Sequence, residues 1–115
     1  MYHSISRRNN MNSVFLDKDK ILMVEISEEI DHHTTEKLRR KLDDDITRFM
    51  PRKVIFDFDR VSFMDSAGIG MIIGRYKMVN MLGGTVEMKN VKKSIRKIFE
   101  MSGVVKIIPI TDSVA

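Results

Sequence analysis

Between Ile21 and Met88, short β-branched and aromatic runs alternate with longer segments of helical period, and this alternation restricts the fold most. Ile21–Ile26, Val54–Phe58 and Thr85–Met88 read as strands. The segment between the first two carries Leu38, Leu42, Ile46 and Phe49 on one helical face, with Asp31 as its cap and Pro51 as its stop. Asp65–Ser66, a pair of N-cap residue types, opens a second helix that runs to about Leu82, where Gly83–Gly84 offers a C-cap. Strands joined through helices pair in parallel with right-handed crossovers. The expected fold class is therefore α/β, a mixed β-sheet flanked by helices in one compact domain.

The flanking pieces extend this plan. Ser13–Leu16 reads as a strand joined to Ile21–Ile26 through the polar break Asp17–Lys20. Residues 1–12 are polar and aperiodic and read as a flexible arm, leaving 13–115 as the domain. Val54–Phe58 is apolar throughout, the pattern of a strand covered on both faces. Val91, Ile95, Ile98 and Phe99 mark the inner stripe of a third helix ending near Ser102–Gly103. Val104–Ile110 reads as a last strand, with Pro109 placing it at an edge or marking its end.

Composition narrows the function. At 115 residues the chain is one domain, and 43% hydrophobic against 31% charged residues is a globular balance. No apolar run approaches the ~20 residues of a membrane helix, and the first residues lack the apolar core of a signal peptide. Cysteine is absent, which excludes a thiolate metal site and a Cys nucleophile. A cytoplasmic protein is expected. The net charge of +4 is segregated: residues 25–45 are rich in Asp and Glu, whereas Lys89, Lys92, Lys93, Arg96 and Lys97 cluster. Such a dipolar surface suits a protein partner, and no aromatic interleaves the basic stretch as a nucleic-acid platform requires.

The segment from Val61 to Tyr76 is the richest in chemistry. Ser66 stands where a strand-to-helix link becomes a helix, so free N–H groups and the positive dipole end point toward it. A phosphate on its hydroxyl would occupy an anion-favouring position; the plainer reading makes Asp65 or Ser66 an N-cap alone. Gly70 and Gly74 lie on one helical face and read as a close approach to the sheet. Gly68-x-Gly70 followed by Gly74 is one residue too long for a dinucleotide fingerprint. Asp31, His32, His33 and Ser66 make no recognisable triad, because Met64 stands where a nucleophile elbow needs glycine. His32 and His33 read as exposed first-turn residues, and adjacent histidines give at most one good metal ligand. Met71, Met78 and Met81 fall at helical spacing as core or near-core packing, whereas Met64 and Ile69 flank Ser66 as an apolar rim, the plainer alternative being that one or both tuck into the protein's own core.

Three stretches, Asp31–Glu36, Ser62–Lys77 (SFMDSAGIGMIIGRYK) and Ile98–Gly103 followed by Val104–Ile108, resemble the STAS family, and within it the anti-sigma factor antagonists of sporulation. The likeness runs from about Val14 to Ile110, and the Asp65-Ser66-Ala67-Gly68 turn is its most specific part. It implies a small sheet flanked by helices and a regulator with no catalytic residue and no cofactor. The unphosphorylated antagonist would bind an anti-sigma factor that is also an ATP-using serine kinase, and so free the sigma factor. The kinase would then phosphorylate Ser66, and a phosphatase would reset it. Asp31, Met64, Asp65, Ser66, Gly68 and Ile69 are the expected partner-binding residues. Ala67 replaces a common second serine, and Glu28 stands where glycine is usual. An arm of about ten residues precedes the first strand. The C-terminal helix of longer relatives is expected to be absent or a stub. Phosphate adds roughly −1.5 to −2 charges, which in a packed interface beside Asp31 and Asp65 should weaken binding on the order of a hundredfold or more. Two other readings fit less of the chain: a scaffold-type STAS protein of a stress-signalling assembly, and a small nucleotide- or nucleic-acid-binding domain.

Overall fold

The computed structural model describes residues 2–8, 11–26 and 30–111. Chain order is β1 (Tyr2–Arg8), β2 (Met11–Leu16), β3 (Ile21–Ile26), α1 (His32–Phe49), β4 (Lys53–Asp57), α2 (Ser66–Met81), β5 (Thr85–Lys89) and α3 (Lys93–Ser102), then a 3-10 turn over Val104–Lys106. Five strands form one sheet in the order β1-β2-β3-β4-β5. β1, β2 and β3 pair antiparallel, and β3, β4 and β5 pair parallel. The sheet is mixed, as the alternation of elements predicts.

Each element has a local cause. The β2–β3 hairpin closes at Leu16 and Ile21 around Asp17–Lys20, with Lys20 at φ 57°. Helix α1 begins at the Asp31 cap and ends at Met50, which adopts φ 47°, just before Pro51. Leu38, Leu42 and Ile46 turn its apolar stripe inward, where they join Leu22, Val24, Val54, Phe56, Val86 and Met88 from the sheet. Asp45 is buried on the same stripe and accepts a hydrogen bond from the Ser13 hydroxyl of β2 at 3.1 Å. Burial pushes its pKa up, against the pull of Lys41 and of that hydrogen bond. Phe99 of α3 meets Phe58 edge-on at 5.4 Å.

Four expectations are corrected. Tyr2–Arg8 is a strand on β2, with a register shift between Ser4 and Ser6, where a flexible arm was expected. Backbone pairing needs no apolar period, so a polar strand leaves little trace in sequence. β4 is covered on one face only: Val54 and Phe56 are buried, while Lys53, Ile55 and Asp57 on the other face are half-exposed. Val104–Ile110 is not a strand. Gly103 terminates α3 at φ 83°, the chain turns through Val104–Lys106, and only Ile110 bridges to Met88 of β5. Burial of Val104 and Ile108, four residues apart, satisfies the apolar pattern that reads as a strand. Met81, expected in or near the core, is 86% exposed at the end of α2. Glu28 lies outside the described residues.

Candidate functional site

Because β3 and β4 run parallel, both deliver the chain to a helix at the same end of the sheet. Beyond the strands, Ile30 and Met64 form a one-residue parallel bridge. The Ile30 N–H donates to the Phe63 carbonyl at 3.0 Å, and the Asp65 N–H donates to the Ile30 carbonyl at 3.2 Å. This bridge sets the next residues, Asp31 and Asp65, side by side as the N-caps of α1 and α2. The Asp31 carboxylate accepts from the N–H groups of His33 and Thr34 at 2.9 and 3.1 Å, and the Thr34 hydroxyl accepts from the Asp31 N–H. That reciprocal box holds the Asp31 carboxyl below its usual pKa, the Thr34 N–H being the largest cause.

Asp65, not Ser66, is the cap of α2. Its carboxylate accepts from the N–H groups of Ala67 and Gly68 at 2.9 and 3.2 Å. Ser66 is thereby the first residue of the helix and exposed, with no hydrogen bond to its hydroxyl among the described residues. A group attached there meets solvent and the positive end of a helix. His32 and His33 are exposed in the first turn of α1, and neither hydrogen-bonds Ser66, so the Asp, His and Ser residues form no triad.

Gly68 is buried against the bridge. A Cβ on it would lie 2.6 Å from Ile30 Cγ2 and 2.8 Å from Met64 Cγ, so the close approach belongs to this glycine. Gly70 and Gly74, expected to make it, have nothing within 4 Å of a Cβ, and the expectation fails for both. The apolar rim is corrected too. Met64 is 3% exposed and packs beneath Gly68, and Ile69 is half-buried against the core. The exposed apolar side chain in this link is Phe63, at 46%. Strand-like alternation about the bridge turns Met64 in and Phe63 out; sequence reasoning misses it because the bridge is a long-range pairing.

Between the helices, Thr35, Glu36, Arg39, Ala67, Gly70, Met71 and Arg75 line an open groove. Arg75 Nε lies 2.9 Å from Asp43 Oδ1, a charge contact rather than an aligned hydrogen bond, tying α2 to α1. Burial pushes the Arg75 pKa down. Lys92 and Lys93 are exposed where α3 begins, also at the C-terminal end of a parallel strand.

The chain has relatives that match this arrangement. An anti-sigma F factor antagonist of Paenibacillus polymyxa is 38% identical over 93 residues, 81% of this chain and 80% of that protein. The anti-sigma-B factor antagonist of Bacillus subtilis is 29% identical over 89% of this chain and 92% of its own. Among solved structures, the anti-sigma factor antagonist SpoIIAA in its unphosphorylated form superposes with a TM-score of 0.78 at 27% identity, covering 90% of this chain and 88% of that one. Phosphorylated SpoIIAA, also 27% identical, gives 0.70 over 90% and 91%. The described residues hold no helix long and apolar enough to cross a membrane. A STAS domain profile matches residues 14–115, and with the fold and these relatives it establishes that the chain belongs to the STAS domain family, alongside the anti-sigma factor antagonists.

Proposed function

We propose that this protein is an anti-sigma factor antagonist whose unphosphorylated form binds an anti-sigma factor with serine kinase activity and thereby releases a sigma factor. ATP-dependent phosphorylation of Ser66 by that kinase ends binding, and a phosphatase restores it. The chain acts as a regulator in the cytoplasm with no catalysis of its own. The observation that carries the reading is an exposed Ser66 hydroxyl at the first residue of α2, with the capping role already filled by Asp65. A relative of the same fold known in unphosphorylated and phosphorylated forms supports it. Asp31, Asp65 and Ser66 supply the polar part of the docking surface, while Gly68 and Met64 serve it from beneath by setting the helix position.

Incubation with the anti-sigma kinase and ATP, read by intact mass, tests this directly. A gain of one phosphate in the wild type and none in Ser66→Ala is expected. Phosphate mapped to Ser62, Ser94 or Ser102 would refute it.

A further inference from the structure

All six phenylalanines of the chain lie in the described region. Phe15, Phe56, Phe58 and Phe99 are buried and Phe49 packs against the core, so five of the rings stabilise the fold. Phe63 alone is exposed, at 46%. Its backbone is fixed: its carbonyl accepts from the Ile30 N–H at 3.0 Å, and the following residue, Met64, is buried. Phe63 is thus an outward ring on a rigid support, three residues before Ser66. The other large exposed apolar side chains among the described residues are Met50, Met81, Leu82, Met101 and Ile107. All lie at or beyond the C-terminal ends of helices. Phe63 is the one that accompanies the N-terminal ends of α1 and α2.

We infer that Phe63 is the apolar anchor by which the partner kinase grips this protein, its ring entering an apolar pocket of that kinase. The inference rests on the function proposed above and deepens it. A ring on a fixed backbone has only two side-chain torsions to order on association, one reason aromatic side chains carry a disproportionate share of interface energy. Asp31, Asp65 and Ser66 form the polar rim beside it. A phosphate on Ser66 therefore puts charge at the margin of the contact that must be driest, and the switch acts on the anchor's surroundings rather than on its position.

The test uses the full chain and the purified anti-sigma kinase, with affinity measured by calorimetry and folding by thermal melting. Phe63→Ala is expected to bind roughly 30-fold more weakly while melting like the wild type, and Phe63→Tyr, which keeps the ring, to bind within about threefold of it. Wild-type affinity in Phe63→Ala would overturn the anchor and leave the Ser66 switch standing. Affinity lost only in proportion to a lowered melting temperature would assign the ring to the protein's own packing and overturn it as well. If the wild type does not bind the kinase at all, the proposed function and the anchor fall together.

Discussion

Helix α2 contains three glycines, and the structure assigns them opposite responses to the same substitution. Glycine inside a helix costs about 1 kcal/mol relative to alanine, mostly through backbone entropy of the unfolded chain. At Gly70 and Gly74 a Cβ meets nothing within 4 Å, so Gly70→Ala and Gly74→Ala should each recover most of that sum, about 0.5–1 kcal/mol. At Gly68 the same propensity gain is opposed by contacts of 2.6 Å to Ile30 and 2.8 Å to Met64. Both neighbours are buried and joined by backbone bonds, so neither can withdraw cheaply. Overpacking of this kind costs about 1–3 kcal/mol, leaving Gly68→Ala destabilised by up to about 2 kcal/mol. Urea denaturation of the three variants beside the wild type measures all three signs. Melting midpoints should move by roughly 4 °C per kcal/mol for a domain of this size. A Gly68→Ala protein more stable than the wild type, or destabilised Gly70→Ala and Gly74→Ala proteins, would refute the placement of α2 on the bridge.

Other substitutions probe the caps and the buried charge. Asp65→Ala removes the acceptor for the Ala67 and Gly68 N–H groups and should cost about 1 kcal/mol in chemical denaturation. Two aspartates of α1, the cap Asp31 and the buried Asp45, should answer pH in opposite senses. Asp31 has a folded pKa below its ordinary 3.8, so its contribution is present above 3.8 and lost as pH falls through the folded value. Asp31→Ala should therefore be less stable than the wild type at neutral pH, with the gap closing in acid. Asp45 has a folded pKa above 3.8, so its ionisation opposes folding as pH rises through the folded value. Asp45→Asn, which retains an acceptor for the Ser13 hydroxyl, should melt higher than the wild type at pH 7, an advantage that vanishes below 3.8. On the proposed function, Ser66→Asp should weaken kinase binding but less than phosphate does, having one charge and two oxygens against nearly two charges and three. Equal affinity for Ser66→Asp and the wild type would contradict the electrostatic account.

What sequence revealed and what it hid divide along the range of the interaction. Asp31 is legible as a cap, and Asp65–Ser66 as a pair that holds one, because a cap bonds only to its own next two or three residues. The stripe Leu38, Leu42 and Ile46 is legible for the same reason, since helical spacing is local. Met64 and Phe63 are not, because which one turns inward depends on the pairing of Met64 with Ile30, thirty-four positions away. The roles of Gly68, Gly70 and Gly74 likewise depend on where Ile30 lies. In Val104–Ile110, β-branched composition argues for a strand, but the left-handed Gly103 and the missing N–H of Pro109 leave a single bridge at Ile110. Ile55 misleads about β4 because an apolar residue on an open face looks like a buried one.

On the proposed function, the arrangement of Asp31, Asp65 and Ser66 lets a phosphate at Ser66 act without refolding the domain. The N-terminal amides that a phosphate would seek at Ala67 and Gly68 already bond to the Asp65 carboxylate. Those of His33 and Thr34 are taken by Asp31. An added dianion therefore finds the helix dipole favourable but the nearest donors occupied, and it stands in solvent beside two carboxylates. Nothing in the core has to move to accommodate it, because Ser66 is exposed and Met64 and Gly68 are packed beneath it. The same charge brought against a partner loses its water and meets two like charges, a penalty of a few kcal/mol that corresponds to a hundredfold or more in affinity. Neutralising Asp31 as Asp31→Asn should then reduce the loss of binding caused by phosphorylation, by an amount that shrinks as salt is raised. A phospho-dependent loss that is the same with Asp31→Asn at every ionic strength would show that steric exclusion, not charge, closes the switch.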